Sequence, residues 1–457
     1  MPLSRRTLLR GSALAAISVA AGSDPSPGGL PSAVRLLSTA KAPPRPNIVV
    51  LVTDDQPLAT DWATPALRDH MGAHGVTYPQ AYATTPLCAP SRASILTGRY
   101  AHNHGVRNNS HSRNIDFGTT VQRYLHGSGY RTGLFGKLLN GFRTPRVPAY
   151  FEEWAVMGIP HYADALWNIN GTLGVQKTYT TTLVRDHAVE FMRKAATDDR
   201  PWFVYVSPYA PHTPYVPERR YKDLAVPGWK GGPATAEADK SDKPPYLQDA
   251  DGTLEDGRDL RTRQLRALRS VDDLFAALVA ELRATGQLDN TLILMVGDNG
   301  YSWADHGWLR KSVPYRSSLR VPMYASWPDG GLDGGREDGR LAANIDLAPT
   351  ILDAAQVSAG PRMDGRSLLQ RSGREELLTE WWHGRETYRN QPPTWAGLVS
   401  AGRQYTEYYD QFLDAGGVPS EGTGEVVFRE YYDLAADPDQ LVNLLHGADA
   451  AALRRLG

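Results

Sequence analysis

The sequence predicts an α/β fold: a mixed, mostly parallel sheet flanked by helices, with a smaller C-terminal antiparallel sheet-plus-helix part. Three observations carry this. Apolar runs rich in β-branched residues open the stretches Pro46–Gln56, Pro201–Ser207 and Thr291–Gly300, as strands buried on both faces do. Leu265, Leu268, Val271, Leu274, Phe275, Leu278 and Leu282 recur at helical spacing between Leu260 and Thr285, and Gly286 stops the pattern. From about residue 366 the texture turns aromatic and alternating. Thr379–His383, Thr394–Tyr409 and Glu425–Leu434 read as antiparallel strands.

A chain of 457 residues with 41% hydrophobic and 22% charged residues has an ordinary globular composition, in one large or two unequal domains. Its formal charge of −1 excludes the global basic field that drives nucleic-acid binding. No apolar run reaches the roughly 18 residues of a membrane span. Residues 1–23 form a separate segment. Ser4-Arg5-Arg6-Thr7-Leu8-Leu9-Arg10 precedes an Ala-rich run, Gly11 to Ala21, and looks like a twin-arginine signal. That reading predicts a periplasmic or extracellular destination, with the export machinery as a transient partner. Residues 24–45, rich in Pro, Gly and Ser, read as a linker, residues 46–365 as the main domain and 366–457 as the C-terminal subdomain.

The first strand ends in Asp54-Asp55, and the run from Thr291 ends in Asp298-Asn299. Ligand sites of open α/β sheets lie at the carboxyl ends of strands. Adjacent carboxylates are costly unless a cation holds them together. These four residues form an all-oxygen set that favours Ca²⁺ or Mg²⁺ over zinc. Cys88 is the single cysteine, so it forms no intrachain disulfide. It opens Cys88-Ala89-Pro90-Ser91-Arg92, and Ser91–Leu96 reads as the first turns of a helix stopped by Gly98. A helix N-terminus there would point at residue 88 and at an anion. A short strand from Tyr130 ends in Gly136-Lys137 and leads to Asn140. Another leads to Pro211-His212-Thr213-Pro214. Residues 222–260 lack a period and read as an irregular rim of a substrate cleft. Asp272 and Asp273 read as a solvated face or a structural contact. Val321-Pro322 opens another strand, and Asn344–Leu352 starts a core helix with proline in its first turn.

The Cys88–Arg92 run, with its Leu96-Thr97-Gly98-Arg99 tail, resembles the sulfatase signature. Gly136-Lys137, Pro211–Pro214, Asp298-Asn299 and His306-Gly307 through Lys311 follow in the order of that family. The resemblance implies an alkaline-phosphatase-like fold and sulfate-ester hydrolysis. It implies that Cys88 is oxidised to formylglycine by a formylglycine-generating enzyme, and that the hydrated aldehyde attacks sulfur. Metal ligation falls to Asp54, Asp55, Asp298 and Asn299, with the Cys88-derived hydroxyl. Arg92, Lys137, His212 and Lys311 would offset sulfate charge, and His212 or Lys311 would protonate the leaving alcohol. Arg310 competes with Lys311 by one residue of alignment. His104 and Asn140 are candidate substrate contacts, and His306 a candidate general acid or substrate contact. The chain departs from the common pattern at Leu139, where many members carry His, and at Tyr315-Arg316-Ser317-Ser318. Gly136-Lys137-Leu138-Leu139-Asn140 resembles the glucosamine-6-sulfatase branch, so a 6-sulfated N-acetylglucosamine is the expected substrate. The alternatives are a phosphonate or phosphate ester hydrolase of the same fold, and a non-catalytic sulfoglycan-binding protein with unmodified Cys88.

Overall fold

The structure, a computed structural model, describes residues 45–142, 145–384, 391–410 and 424–448. The expected signal and all of the expected linker except Arg45 lie outside the described residues. In chain order the strands are β1 (Asn47–Thr53), β2 (Val76–Thr77), β3 (Ala81–Tyr82), β4 (Arg131–Gly136), β5 (Glu153–Met157), β6 (Ala165–Ile169), β7 (Thr172–Gln176), β8 (Trp202–Ser207), β9 (Thr291–Gly297), β10 (Met323–Ser326), β11 (Arg336–Glu337), β12 (Ala342–Ala343), β13 (Glu376–Trp381), β14 (Trp395–Ser400), β15 (Arg403–Tyr409) and β16 (Val426–Asp433). Among the described residues, ten of them form one sheet in the order β11-β2-β10-β9-β1-β8-β4-β5-β6-β7. The central β9, β1, β8, β4 and β5 are mutually parallel, and antiparallel pairs lie toward both edges.

The helices are α1 (Pro65–His74), α2 (Cys88–Thr97), α3 (Ala101–His104), α4 (Val121–Gly127), α5 (Thr180–Ala195), α6 (Pro245–Gln248), α7 (Leu254–Ala284), α8 (Arg316–Leu319) and α9 (Leu347–Ala354). Alternation along each central strand feeds two cores. Ile48, Val50 and Val52 pack with α2, α4 and α9, while Val49 and Leu51 pack with α1, α5 and α7. The period-2 pattern is masked in the sequence because both faces are apolar. α7 starts six residues before the expected Leu260. Thr253 and Asp256 form a capping box that satisfies the helix's first amides, with Asp256 accepting the Thr253 N–H at 2.9 Å. Asp272, midway along α7, accepts the Ala66 and Leu67 N–H groups at 3.2 and 3.0 Å and so caps α1.

β13, β14, β15 and β16 make the antiparallel C-terminal sheet. The expected Thr394–Tyr409 segment is two strands, because Ala401-Gly402 forms a two-residue hairpin loop. Leu377, Trp381, Trp395, Val399 and Tyr408 of this sheet pack against Tyr82, Leu87, Leu319, Leu341 and Ile345. Residues after β16 turn as far as Ala448, and anything beyond, including a terminal helix, lies outside the described residues.

Candidate active site

The parallel central strands end at one rim. Thr53 of β1 stands opposite Gly297 of β9, so Asp54-Asp55 and Asp298-Asn299 leave neighbouring strands side by side. Gly136 of β4 stands opposite Ser207 of β8. Its φ is +113°, and a Cβ there would lie 1.9 Å from the Ser207 carbonyl oxygen, so only glycine lets Lys137 leave the strand at this point. Asp55 itself has φ +64°, a left-handed conformation that Asp tolerates better than most residues.

α2 begins at Cys88, three residues before the expected Ser91, and ends at Gly98 in the left-handed conformation. The whole helix is buried, with Asn109 Oδ1 accepting the Ala89 N–H at 3.0 Å. The Cys88 thiol donates to Asp54 Oδ1 at 3.3 Å, and its sulfur lies 3.9 Å from Asp55 Oδ1. Lys311 Nζ donates to Cys88 Sγ at 2.9 Å and to Asp55. Thus Lys311, and not Arg310, enters the cluster. Arg92, one turn further along α2, is wholly enclosed. Its Nε donates to Asp298 at 2.8 Å, and its Nη1 donates to the Lys137 carbonyl at 2.9 Å and to Ser207 Oγ at 2.5 Å. Lys137 Nζ donates to Asp54 at 2.5 Å, and His212 Nε2 lies 3.5 Å from Asp55.

Three buried carboxylates within one small volume are met by two ammonium groups and a guanidinium. Burial pushes the Asp54 carboxyl up, but Lys137, His212, Arg92 and Lys311 together outweigh it and hold it well below the usual carboxylate range. Asp298 goes the other way, raised by burial and by Asp54. Burial favours loss of charge on Lys311, yet Asp55 and the Cys88 thiol beside it keep the ammonium. Burial and then Asp54 raise the Cys88 thiol, so an unmodified thiol here is a poor thiolate. The ligand atoms of Asp54, Asp55, Cys88 and His212 lie within 4.8 Å of one another, a group able to hold a metal ion. Asp298 stands beside them with both oxygens engaged, one by the Asp55 N–H at 3.0 Å and one by Arg92. Asn299 donates its amide N–H to Asp55 at 2.7 Å, and its buried Oδ1 has no partner among the described residues. A buried amide oxygen among carboxylates, left without a donor, suits a hard cation.

Three sequence-derived candidates stand elsewhere. His104 faces the back of α2, its Nε2 3.1 Å from Ser94 Oγ and its Nδ1 accepting the Val106 N–H at 3.1 Å. The single turn of α3 rotates it into the core rather than toward the Cys88 sulfur. Burial, then Arg99, pushes its imidazole down to about 3. The native state therefore binds no proton where the unfolded chain would, so this stability is complete above about pH 6.5 and is lost as pH falls toward 3. Between pH 7 and 4.5, wild type should lose about 2–3 kcal/mol more than His104→Gln, read from urea midpoints at the two pH values. His306 is buried too. Its Nδ1 lies 2.6 Å from Glu237, and its ring lies 4.5 Å from the Tyr315 ring. Asn140 lines a separate cavity with Asn109, Ser110 and Arg113. Leu139, at the first departure from the family pattern, packs in the core. Arg316, at the second, donates to the Pro438 carbonyl at 2.6 Å.

Other residues support the site with no motif to announce them. Gln264 of α7 donates to the Asp55 carbonyl at 3.2 Å and accepts the Trp303 indole N–H at 2.6 Å. The Tyr162 hydroxyl donates to the His212 carbonyl at 2.5 Å. His212 Nδ1 lies 2.9 Å from both the Tyr209 hydroxyl and the Thr213 carbonyl oxygen. The carbonyl can only accept, so Nδ1 carries the proton and Nε2 faces Asp55. A cleft of about 380 Å³ opens from Asp55, His212 and Lys311, walled by Tyr215, Tyr301 and Trp308. Of the irregular 222–260 stretch, only Asp256, Asp259 and Leu260, on the first turns of α7, reach this cleft.

The family model described as Sulfatase matches residues 46–357. The extracellular sulfatase SULF-1 homolog of Drosophila melanogaster is 32% identical over 349 residues, 71% of this chain and 31% of that protein. The N-acetylglucosamine-6-sulfatase of Homo sapiens is 29% identical over 477 residues, 90% of this chain and 83% of that protein. The chain spans 31% and 48% of the lengths of the fly and Caenorhabditis elegans extracellular relatives. A solved protein in complex with its substrate, D-glucosamine-2-N,6-O-disulfate, matches with a TM-score of 0.77 at 20% identity, over 90% of this chain and 96% of that one. The phosphonate monoester hydrolase of Agrobacterium radiobacter matches with a TM-score of 0.67 at 21% identity, over 90% and 94% of the two chains. These likenesses are of fold, and that fold is the alkaline-phosphatase-like one that the sulfatase resemblance implies.

Proposed function

The chain belongs to the sulfatase family, and from that premise we propose that it hydrolyses sulfate esters of carbohydrates, 6-sulfated N-acetylglucosamine foremost. One observation carries the reading: Cys88 stands at the first residue of α2 with Asp54, Asp55 and Lys311 around its sulfur. Oxidation of Cys88 to formylglycine, by a separate formylglycine-generating enzyme, supplies a hydrated aldehyde as nucleophile. Its second oxygen offers an exit for sulfate that a serine lacks.

Asp54, Asp55, Asp298 and the Asn299 Oδ1, without a donor among the described residues, would hold a hard divalent cation, Ca²⁺ in this reading with Mg²⁺ as the other choice, the oxygen donors disfavouring zinc. Bound there, the ion supplies Lewis-acid polarisation of a sulfate oxygen and of the nucleophile. Arg92 and Lys137 fix and neutralise the nucleophile's surroundings. His212 and Lys311, which face the cleft, offset charge on the sulfate, and the leaving alcohol takes its proton from one of them. Tyr215, Tyr301 and Trp308 offer aromatic faces to a sugar ring.

Inorganic sulfate released from N-acetylglucosamine 6-sulfate tests the reading, with phosphate and phosphonate esters run alongside. Preferred turnover of the phosphorus esters would overturn it. The mass of the Cys88 peptide tests the modification: the aldehyde form loses sulfur and two hydrogens and gains one oxygen. An unshifted peptide without turnover would point to sulfoglycan binding instead. Calcium at a hundredfold excess over its dissociation constant should stabilise the fold by about 2.7 kcal/mol. Asn299→Ala should shrink that thermal shift, independently of activity. We also assign export through Arg5-Arg6. N-terminal sequencing of the exported protein checks whether the first 23 residues are removed.

A further inference from the structure

We propose that Glu430, in the C-terminal sheet, is a positioning residue for Lys311, an inference that rests on the sulfatase reading. Lys311 is carried by an irregular loop that runs to Tyr315. The next residue, Ser312, has φ +77°, a left-handed conformation that serine rarely holds unless its surroundings impose it.

The surroundings come largely from the C-terminal sheet. Trp395 of β14 donates its indole N–H to the Ser312 carbonyl at 3.0 Å. Gln404 of β15 donates its side-chain amide to the Pro314 carbonyl. Tyr315 donates its hydroxyl to Glu430 of β16 at 2.5 Å. Within the loop's own neighbourhood, the Trp308 indole donates to the Lys311 carbonyl at 3.0 Å. Each carbonyl from 311 to 314 that accepts one of these bonds is thereby fixed close to the ammonium that touches Asp55 and Cys88.

Glu430 is the anchor of that set. It is fully buried, and among the described residues no ion pair reaches it. Its oxygens accept three tyrosine hydroxyls, from Tyr315 at 2.5 Å, Tyr408 at 2.5 Å and Tyr432 at 2.7 Å. A buried carboxylate in no direct ion pair, with the Lys243 ammonium acting on it only from beyond contact, is an expensive way to join a sheet to a loop, where apolar side chains would suffice for cohesion. What it adds is direction: two hydroxyls from the sheet aim the carboxylate, and the third pins the loop.

The three tyrosines make a matched test. Tyr315→Phe and Tyr432→Phe each delete one hydroxyl bond to the same carboxylate and keep the ring. Only the first cuts the tie to the Lys311 loop. Tyr315→Phe should lower kcat for sulfate release about tenfold with KM changed less than twofold. Tyr432→Phe should keep kcat within twofold of wild type at a comparable loss of thermal stability. Trp395→Phe, which deletes the bond to the Ser312 carbonyl together with part of a fully buried ring, should lower kcat as Tyr315→Phe does but at a larger loss of stability. Equal kcat in all three variants, or a kcat that simply tracks stability across them, would overturn the inference while leaving the sulfatase reading standing. A wild type that releases no sulfate would sink the reading itself and the inference with it.

Discussion

Cys88→Ala is expected to lower turnover by on the order of 10⁴-fold or more while the fold survives. The two halves of this expectation come from different contacts. The lost sulfur is the group Asp54, Asp55 and Lys311 surround, and no other side chain of the cluster is a nucleophile of its kind. The neighbours it leaves behind keep partners. Asp54 retains Lys137, and Lys311 retains Asp55. The change removes one sulfur atom from a small buried side chain, so a cost of about 1 kcal/mol is expected in a denaturation curve. Sulfate release by the variant near the wild-type rate would assign the nucleophile to another residue.

Arg92→Met should act on stability as strongly as Cys88→Ala acts on rate. The guanidinium is enclosed and bonds Asp298, the Lys137 carbonyl and Ser207 at once. Methionine matches much of the stem but leaves Asp298 without its only ion-pair partner among the described residues, and Asp54 with one cation fewer. Breaking a buried pair from one side costs about 3–5 kcal/mol. Arg92→Lys should restore little of it, because one ammonium cannot serve carboxylate, carbonyl and hydroxyl in three directions. Urea midpoints of the metal-free proteins measure both variants. A loss below about 1 kcal/mol for Arg92→Met would mean that the site relaxes around the gap.

What could be read from the chain depended on how far apart the partners lie. Asp54, Asp55, Asp298 and Asn299 each terminate an apolar run, so both the strand and the polar cluster were visible locally, and parallel pairing does the rest. Cys88 and Arg92 share one helix, and their spacing is the signal. The placement of the histidines was hidden for the opposite reason. His104 and His306 lie beside informative motifs in sequence, but one turn of α3 and a φ of +55° at His306 send them into the interior. Gln264, Tyr209 and Glu430 were invisible. A lone glutamine on a helix or a glutamate in a strand has no periodic meaning, and the partner that matters lies far along the chain, 209 residues for Gln264 and Asp55, 115 for Glu430 and Tyr315; Tyr209 lies three residues from His212 but carries no motif of its own.

The enclosure of Cys88, 1% exposed at the head of a wholly buried helix, sets an order of events in the life of the chain. Once α2 is packed beneath the sheet rim, residue 88 presents almost no surface for a modifying enzyme to grip. The oxidation proposed above therefore belongs to the nascent, still extended polypeptide. On the formylglycine reading, a molecule that folds first would keep its thiol for as long as it stays folded.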